Sequence, residues 1–155
     1  DQGSPLTLIS QAVFSRYLSA LKDERVAASK ELKGPSTKPT IEKDAFIESI
    51  RKGLYAAKII SYTQGFMLMR SASELYKWHL NFGAVALMWR GGCIIRSVFL
   101  GKIKEAFTKN PDLKNLLLDP FFKDVITDNQ AALREVIAQA AYLGIATPCH
   151  SAGLN

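Results

Sequence analysis

The chain reads as all-α, a multi-helix domain with one long central helix. Three observations predict this. Apolar residues recur three and four positions apart along most of the 155 residues, the period of a helix that buries one face. No stretch alternates apolar and polar residues over the length of a strand, and no internal repeat is visible. Glycine and proline cluster between the periodic stretches, where they end helices.

The elements follow in order. Pro5 suits the first turn of a helix, because the N–H it lacks would be unpaired there. From Leu6 to about Lys30, the residues Leu6, Ile9, Val13, Tyr17 and Ala20 keep helical spacing. Gly34-Pro35 ends that run, and Ser36-Thr37-Lys38-Pro39-Thr40 reads as an exposed loop. The long helix begins near Lys43 and passes through Phe46, Ile50, Leu54, Ala57, Tyr62 and Phe66 to about Lys77. Gly53 and Gly65 lie inside it, each costing about 1 kcal/mol relative to alanine. Residues 78–83 connect it to a short apolar helix over residues 84–89, which runs into Arg90-Gly91-Gly92. The next helix is expected from about Cys93 to Lys109, stopped by Asn110-Pro111. Residues 112–118 read as a helical turn, and Asp119-Pro120 opens another helix. Residues 129–143 form the last, closed by Gly144.

Length and composition fit one domain with its own core: 48% of residues are hydrophobic and 22% charged. The chain opens at Asp1 without an initiator Met, as expected of a processed or excised piece. No signal peptide opens it, and no apolar run approaches the roughly 18–20 residues of a membrane span. The run at 94–100 is interrupted by Arg96. Cys93 and Cys149 are far apart and form no CxxC. Cys93 lies in an apolar run and is expected to behave as a small buried hydrophobe. The absence of a disulfide framework fits a reducing, cytoplasmic setting. His79 and His150 have no metal-ligand spacing with the cysteines or with carboxylates, so no metal site is expected. The net charge of +6 is dispersed and interleaved with acids, as in Lys22-Asp23-Glu24-Arg25 and Lys102-Ile103-Lys104-Glu105. With no basic run carrying interleaved aromatics, solvated helix faces explain the charge better than nucleic-acid binding.

Three features bear on chemistry. Arg16 falls among Ile9, Ala12, Val13 and Ala20, beside the apolar stripe of its helix. An arginine directed at a core edge needs an anion, and its fork suits a carboxylate on a neighbouring helix or a bound phosphate. The stretch Arg90-Gly91-Gly92-Cys93-Ile94-Ile95-Arg96 places paired glycines before an expected helix N-terminus. That arrangement serves either an anion or a tight turn between packed helices. Lys22-Asp23-Glu24-Arg25 reads as a solvent-facing turn with local pairs of a few tenths of a kcal/mol, and no chemistry is assigned to it. Trp89, Met67 and Met69 read as core. A Gly-x-Gly-x-x-Gly loop, a Walker loop and a Ser-His-Asp ordering are all missing.

Read as strings, three stretches resemble the 6-phosphogluconate dehydrogenase family. They are AVFSRYLSALKDER (12–25), AKIISYTQGFM (57–67) and ALMWRGGCIIRSVFLG (86–101), with Asn115-Leu116-Leu117-Leu118-Asp119 and the 144–148 turn in the same order. The likeness implies that residues 1–155 are a partial C-terminal helical domain of such an enzyme. The dinucleotide-binding domain and the C-terminal tail would then lie outside the chain. It further implies an NADP-dependent, metal-free oxidative decarboxylation of 6-phosphogluconate to ribulose 5-phosphate, in gluconate utilization and the pentose phosphate pathway. The family oxidises the C3 hydroxyl by hydride transfer and then decarboxylates the keto intermediate, with a lysine base and a glutamate acid. A homodimer built through the helical domain is implied, with no nucleic-acid or membrane partner. Only Arg16, within Val13-Phe14-Ser15-Arg16, matches a residue of the family's substrate site, the arginine that grips the substrate phosphate. Residues 90–96 resemble a segment near the active site and take no individual role, Ile94 being the one able to touch substrate. No catalytic residue, cofactor-binding residue or metal ligand carries over, because the Lys-Gly-Thr-Gly-x-Trp signature and the catalytic lysine and glutamate are absent. NADP would be bound mainly by the missing domain, and the segment alone is expected to be inactive. The alternative is a non-catalytic helical interaction module derived from the same domain. Ala152-Gly153-Leu154-Asn155 departs somewhat from the Ser/Ala-Leu pattern of the family at that point.

Overall fold

The computed structural model describes residues 2–155, and every regular element among them is helical. The order is α1 (Thr7–Ala20), α2 (Lys22–Glu31), α3 (Lys43–Tyr76), α4 (Phe82–Arg90), α5 (Leu100–Lys109), a 3₁₀ turn (Leu116–Leu118), α6 (Pro120–Tyr142) and α7 (Pro148–Leu154). The expected all-α fold is therefore found, and α3, at 34 residues, is the long helix. The chain forms two compact units. One comprises Tyr62–Ile126 with the residues up to Pro5, the other Leu6–Ser61 with Thr127–Asn155.

In the second unit, Ala56, Ala57 and Ile59 of α3 and Leu133, Val136 and Ala140 of α6 are buried. Gly53 explains their closeness. A Cβ there would stand 3.2 Å from the Leu133 Cα, so the residue that weakens the helix locally is what lets α3 and α6 approach. At the other end, α1 packs against α7, and the Thr7 hydroxyl donates to the Ala152 carbonyl at 2.8 Å. Gly144 has φ of +70°, and a Cβ there would lie 2.8 Å from the Pro35 ring.

The first unit has an aromatic core. The Phe66 ring meets Trp89 and Phe107, each with centroids 5.3 Å apart, and Tyr62 sits edge-on to Phe99 at 5.0 Å. Leu100, Ile103, Ala106 and Phe107 give α5 its buried face, against which α4 packs. Two helix starts here are capped by side chains: Asn81 Oδ1 accepts from the Ala84 N–H at 2.9 Å, and Asp119 Oδ1 from the Phe121 N–H at 3.1 Å. The end of α3 is closed by Lys77 in the left-handed region, with φ of 55°, and by the Trp78 N–H donating to the Ser73 carbonyl at 3.0 Å.

Five expectations need correction. The run from Leu6 to Lys30 is two helices, broken at Leu21, where ψ is 52°. Neither α1 nor α2 contains a fully buried residue, so no deeply packed common face holds the two in line. The helix expected from Cys93 starts at Leu100, and residues 93–99 form turns. Cys93 is exposed rather than buried, and Ile94 and Val98 are 99% and 95% accessible. Apart from the buried Ser97, the buried face of that segment begins at Phe99 and Leu100. No break occurs at Asn129, because residues 121–143 contain neither glycine nor proline, and α6 runs through it to Tyr142. Beyond Gly144 a further helix, α7, begins with Pro148 at its first turn.

Candidate functional site

Arg16 lies on the third turn of α1. Its expected direction toward a core edge is not found, since α1 has no fully buried residue and Arg16 is exposed. Nor does it meet a carboxylate of a neighbouring helix: among the described residues the ion pairs join Glu48 to Arg51 and Lys52, and Lys102 to Glu105. Its Nη1 donates instead to the Ser19 hydroxyl at 2.8 Å, and that hydroxyl donates to the Arg16 carbonyl at 2.8 Å. The guanidinium is thus held from one side. Of its five N–H donors, those not used on Ser19 remain able to grip an oxyanion bidentately.

A second guanidinium reaches the same residue. Arg25, from α2, donates through Nη1 to the Ser19 carbonyl at 3.2 Å. Sequence reasoning had placed Arg25 in a solvated charged turn and given it no chemistry. The missed signal is the break at Leu21, which neither glycine nor proline announces. Ser19 and Arg25 also line a cavity of about 700 Å³ in this unit, walled by Phe14 and Leu18 of α1, Ile137 of α6 and Pro148 of α7. Arg16 stands outside that lining.

The 90–96 stretch does not build an anion site of the expected kind. Gly92 adopts φ of +149° in a turn, and no helix begins behind it until Leu100, so no helix N-terminus faces the glycine pair. Ile94 is fully exposed there. Among the described residues there is no strand and hence no strand–loop–helix cradle for a dinucleotide. No group of three or more His, Cys, Asp or Glu capable of holding a metal is found among them, and no helix is long and apolar enough to cross a membrane.

The class these features define is an all-helical domain that presents an arginine to solvent, with no nucleotide cradle among its described residues. The chain belongs to the family described as 6-phosphogluconate dehydrogenase, C-terminal domain, whose model matches residues 1–155. It is 61% identical over 156 residues to the decarboxylating 6-phosphogluconate dehydrogenase of Cunninghamella elegans and 56% identical to that of Homo sapiens. Each alignment covers 100% of this chain and 32% of the relative. The chain thus spans about a third of the length of the curated relatives it matches. Among solved structures, Plasmodium falciparum 6-phosphogluconate dehydrogenase matches with a TM-score of 0.91 and 37% identity, over 98% of this chain and 33% of that one. That enzyme is described in its apo form, with its cofactor NADP+ and with its substrate 6-phosphogluconate.

Proposed function

We propose that this chain is the helical segment of an NADP-dependent 6-phosphogluconate dehydrogenase that oxidatively decarboxylates 6-phosphogluconate to ribulose 5-phosphate, and that Arg16 binds the substrate phosphate. The observation that carries this reading is Arg16 itself. It lies in the stretch that resembles the family's phosphate-gripping segment, is tethered on one side by Ser19, and has no carboxylate partner among the described residues. An arginine fork matches a phosphate dianion in shape and charge. The residues described here do not fit a dinucleotide, so NADP belongs to a part of the enzyme outside this segment. No step of the hydride transfer is assigned to these side chains.

The segment's second role is association into a homodimer. Phe14, Tyr17 and Leu18 on α1, Met88 on α4, and Ile94 and Val98 in the following turns are exposed in a single copy. Large apolar side chains left exposed in this way are ones that a covering protein would bury. A cytoplasmic location is supported by the two free cysteines, Cys93 and Cys149. In the assay that tests the reading, the full-length protein reduces NADP+ and releases CO₂ when given 6-phosphogluconate, and residues 1–155 alone do neither. The full-length protein should sediment at twice its chain mass. Turnover by the isolated segment, or a full-length monomer inert toward 6-phosphogluconate, would contradict it.

A further inference from the structure

In an unbroken helix, residues 16 and 25 would stand about 180° apart and about 13 Å along the axis, so their side chains would never meet. The break at Leu21 changes this. It turns α2 so that both guanidiniums reach one residue, Arg16 on the Ser19 hydroxyl at 2.8 Å and Arg25 on the Ser19 carbonyl at 3.2 Å. The contact with Arg25 satisfies one of the last carbonyls of α1, which have no partner within the helix. The same residue then uses its hydroxyl to aim Arg16. Two positive charges are thereby tied to one serine, and neither has an ion-pair partner among the described residues. A phosphate dianion bound beside this serine offsets both charges.

We infer that Ser19 and Arg25 are positioning residues for the phosphate site. Arg25 fixes Ser19 by its carbonyl, Ser19 fixes the Arg16 fork by its hydroxyl, and Arg25 adds a second positive charge to the same field. This rests on the reading of Arg16 as the phosphate-binding residue.

The test is a mutant cycle in the full-length enzyme. Arg25→Gln and Ser19→Ala should each raise the KM for 6-phosphogluconate about 5-fold, the effect of one ordinary hydrogen bond, with kcat and the KM for NADP+ unchanged. Ser19→Thr keeps the hydroxyl and should restore the KM. Arg25→Lys, which keeps the charge and serves if Arg25→Gln does not fold, should give a smaller rise of about 2-fold. In an Arg16→Ala background, Ser19→Ala should add little, and Arg25→Gln should raise the KM by less than it does alone, because only its charge still acts there. A rise of equal size in that background would overturn the inference, as would parallel rises in the KM for both substrates. If Arg16→Ala alone leaves the KM for 6-phosphogluconate unchanged, the phosphate reading fails and the inference with it. If Arg16→Ala raises it while neither Arg25→Gln nor Ser19→Ala does, only the positioning role fails.

Discussion

Tyr62 shows what a single side chain contributes to the first unit. Its ring packs edge-on to Phe99, yet its buried hydroxyl has no hydrogen-bond partner among the described residues. Burial pushes the phenol's pKa above its ordinary value, with charge at Cys93 adding in the same direction. An unsatisfied buried hydroxyl costs about 1–3 kcal/mol, and the ring stays when the oxygen goes. Tyr62→Phe is therefore expected to raise stability by about 1 kcal/mol in urea unfolding; a loss of that size would show that the hydroxyl has a partner in solution. At this scale the sequence was informative only in part. Arg16 could be singled out because its neighbours spell a recognisable segment, but its exposure could not, since a stripe of Ile9, Val13 and Tyr17 says nothing about whether another helix covers it. Arg25 was invisible as a partner of Arg16 because its reach depends on one backbone torsion, ψ at Leu21, and leucine is a good helix former.

Among the elements, α3 sets two glycines in contrasting surroundings. Gly53 lies against the backbone of Leu133, whereas a Cβ at Gly65 would find nothing within 4 Å. Gly65→Ala is thus expected to stabilise by about 0.5–1 kcal/mol through helix propensity alone. Gly53→Leu must push α6 away and is expected to cost about 1–3 kcal/mol. Thermal melts of the two variants should move in opposite directions; a shift of the same sign in both would refute the packing role given to Gly53. Residue type made some elements legible in advance. Asp119-Pro120 marked the start of α6, and the spacing from Phe46 to Phe66 marked α3. The late start of α5 was not legible, because Ile94, Ile95 and Val98 are apolar enough to continue a helix and are left in turns by the packing of Phe99 and Leu100. Likewise the helix start expected at Asn129 is not one, and α6 runs through it.

For the whole molecule, the all-helical architecture followed from periodicity, while the family followed from strings of residues that no periodicity specifies. Its match over residues 1–155 covers about a third of each curated relative, and the role proposed for this segment is helical packing with one grip on substrate. The exposed apolar residues of α1 and of residues 93–99 agree with a domain meant to be covered. The most direct measurement is steady-state kinetics of Arg16→Ala in the full-length enzyme. Loss of a charge-assisted contact of about 1.5–3 kcal/mol should raise the KM for 6-phosphogluconate roughly 10–150-fold and leave the KM for NADP+ nearly unchanged, with Arg16→Lys recovering only part of the loss. An unchanged KM for 6-phosphogluconate accompanied by a lowered melting temperature would make Arg16 a structural residue and contradict the proposed role.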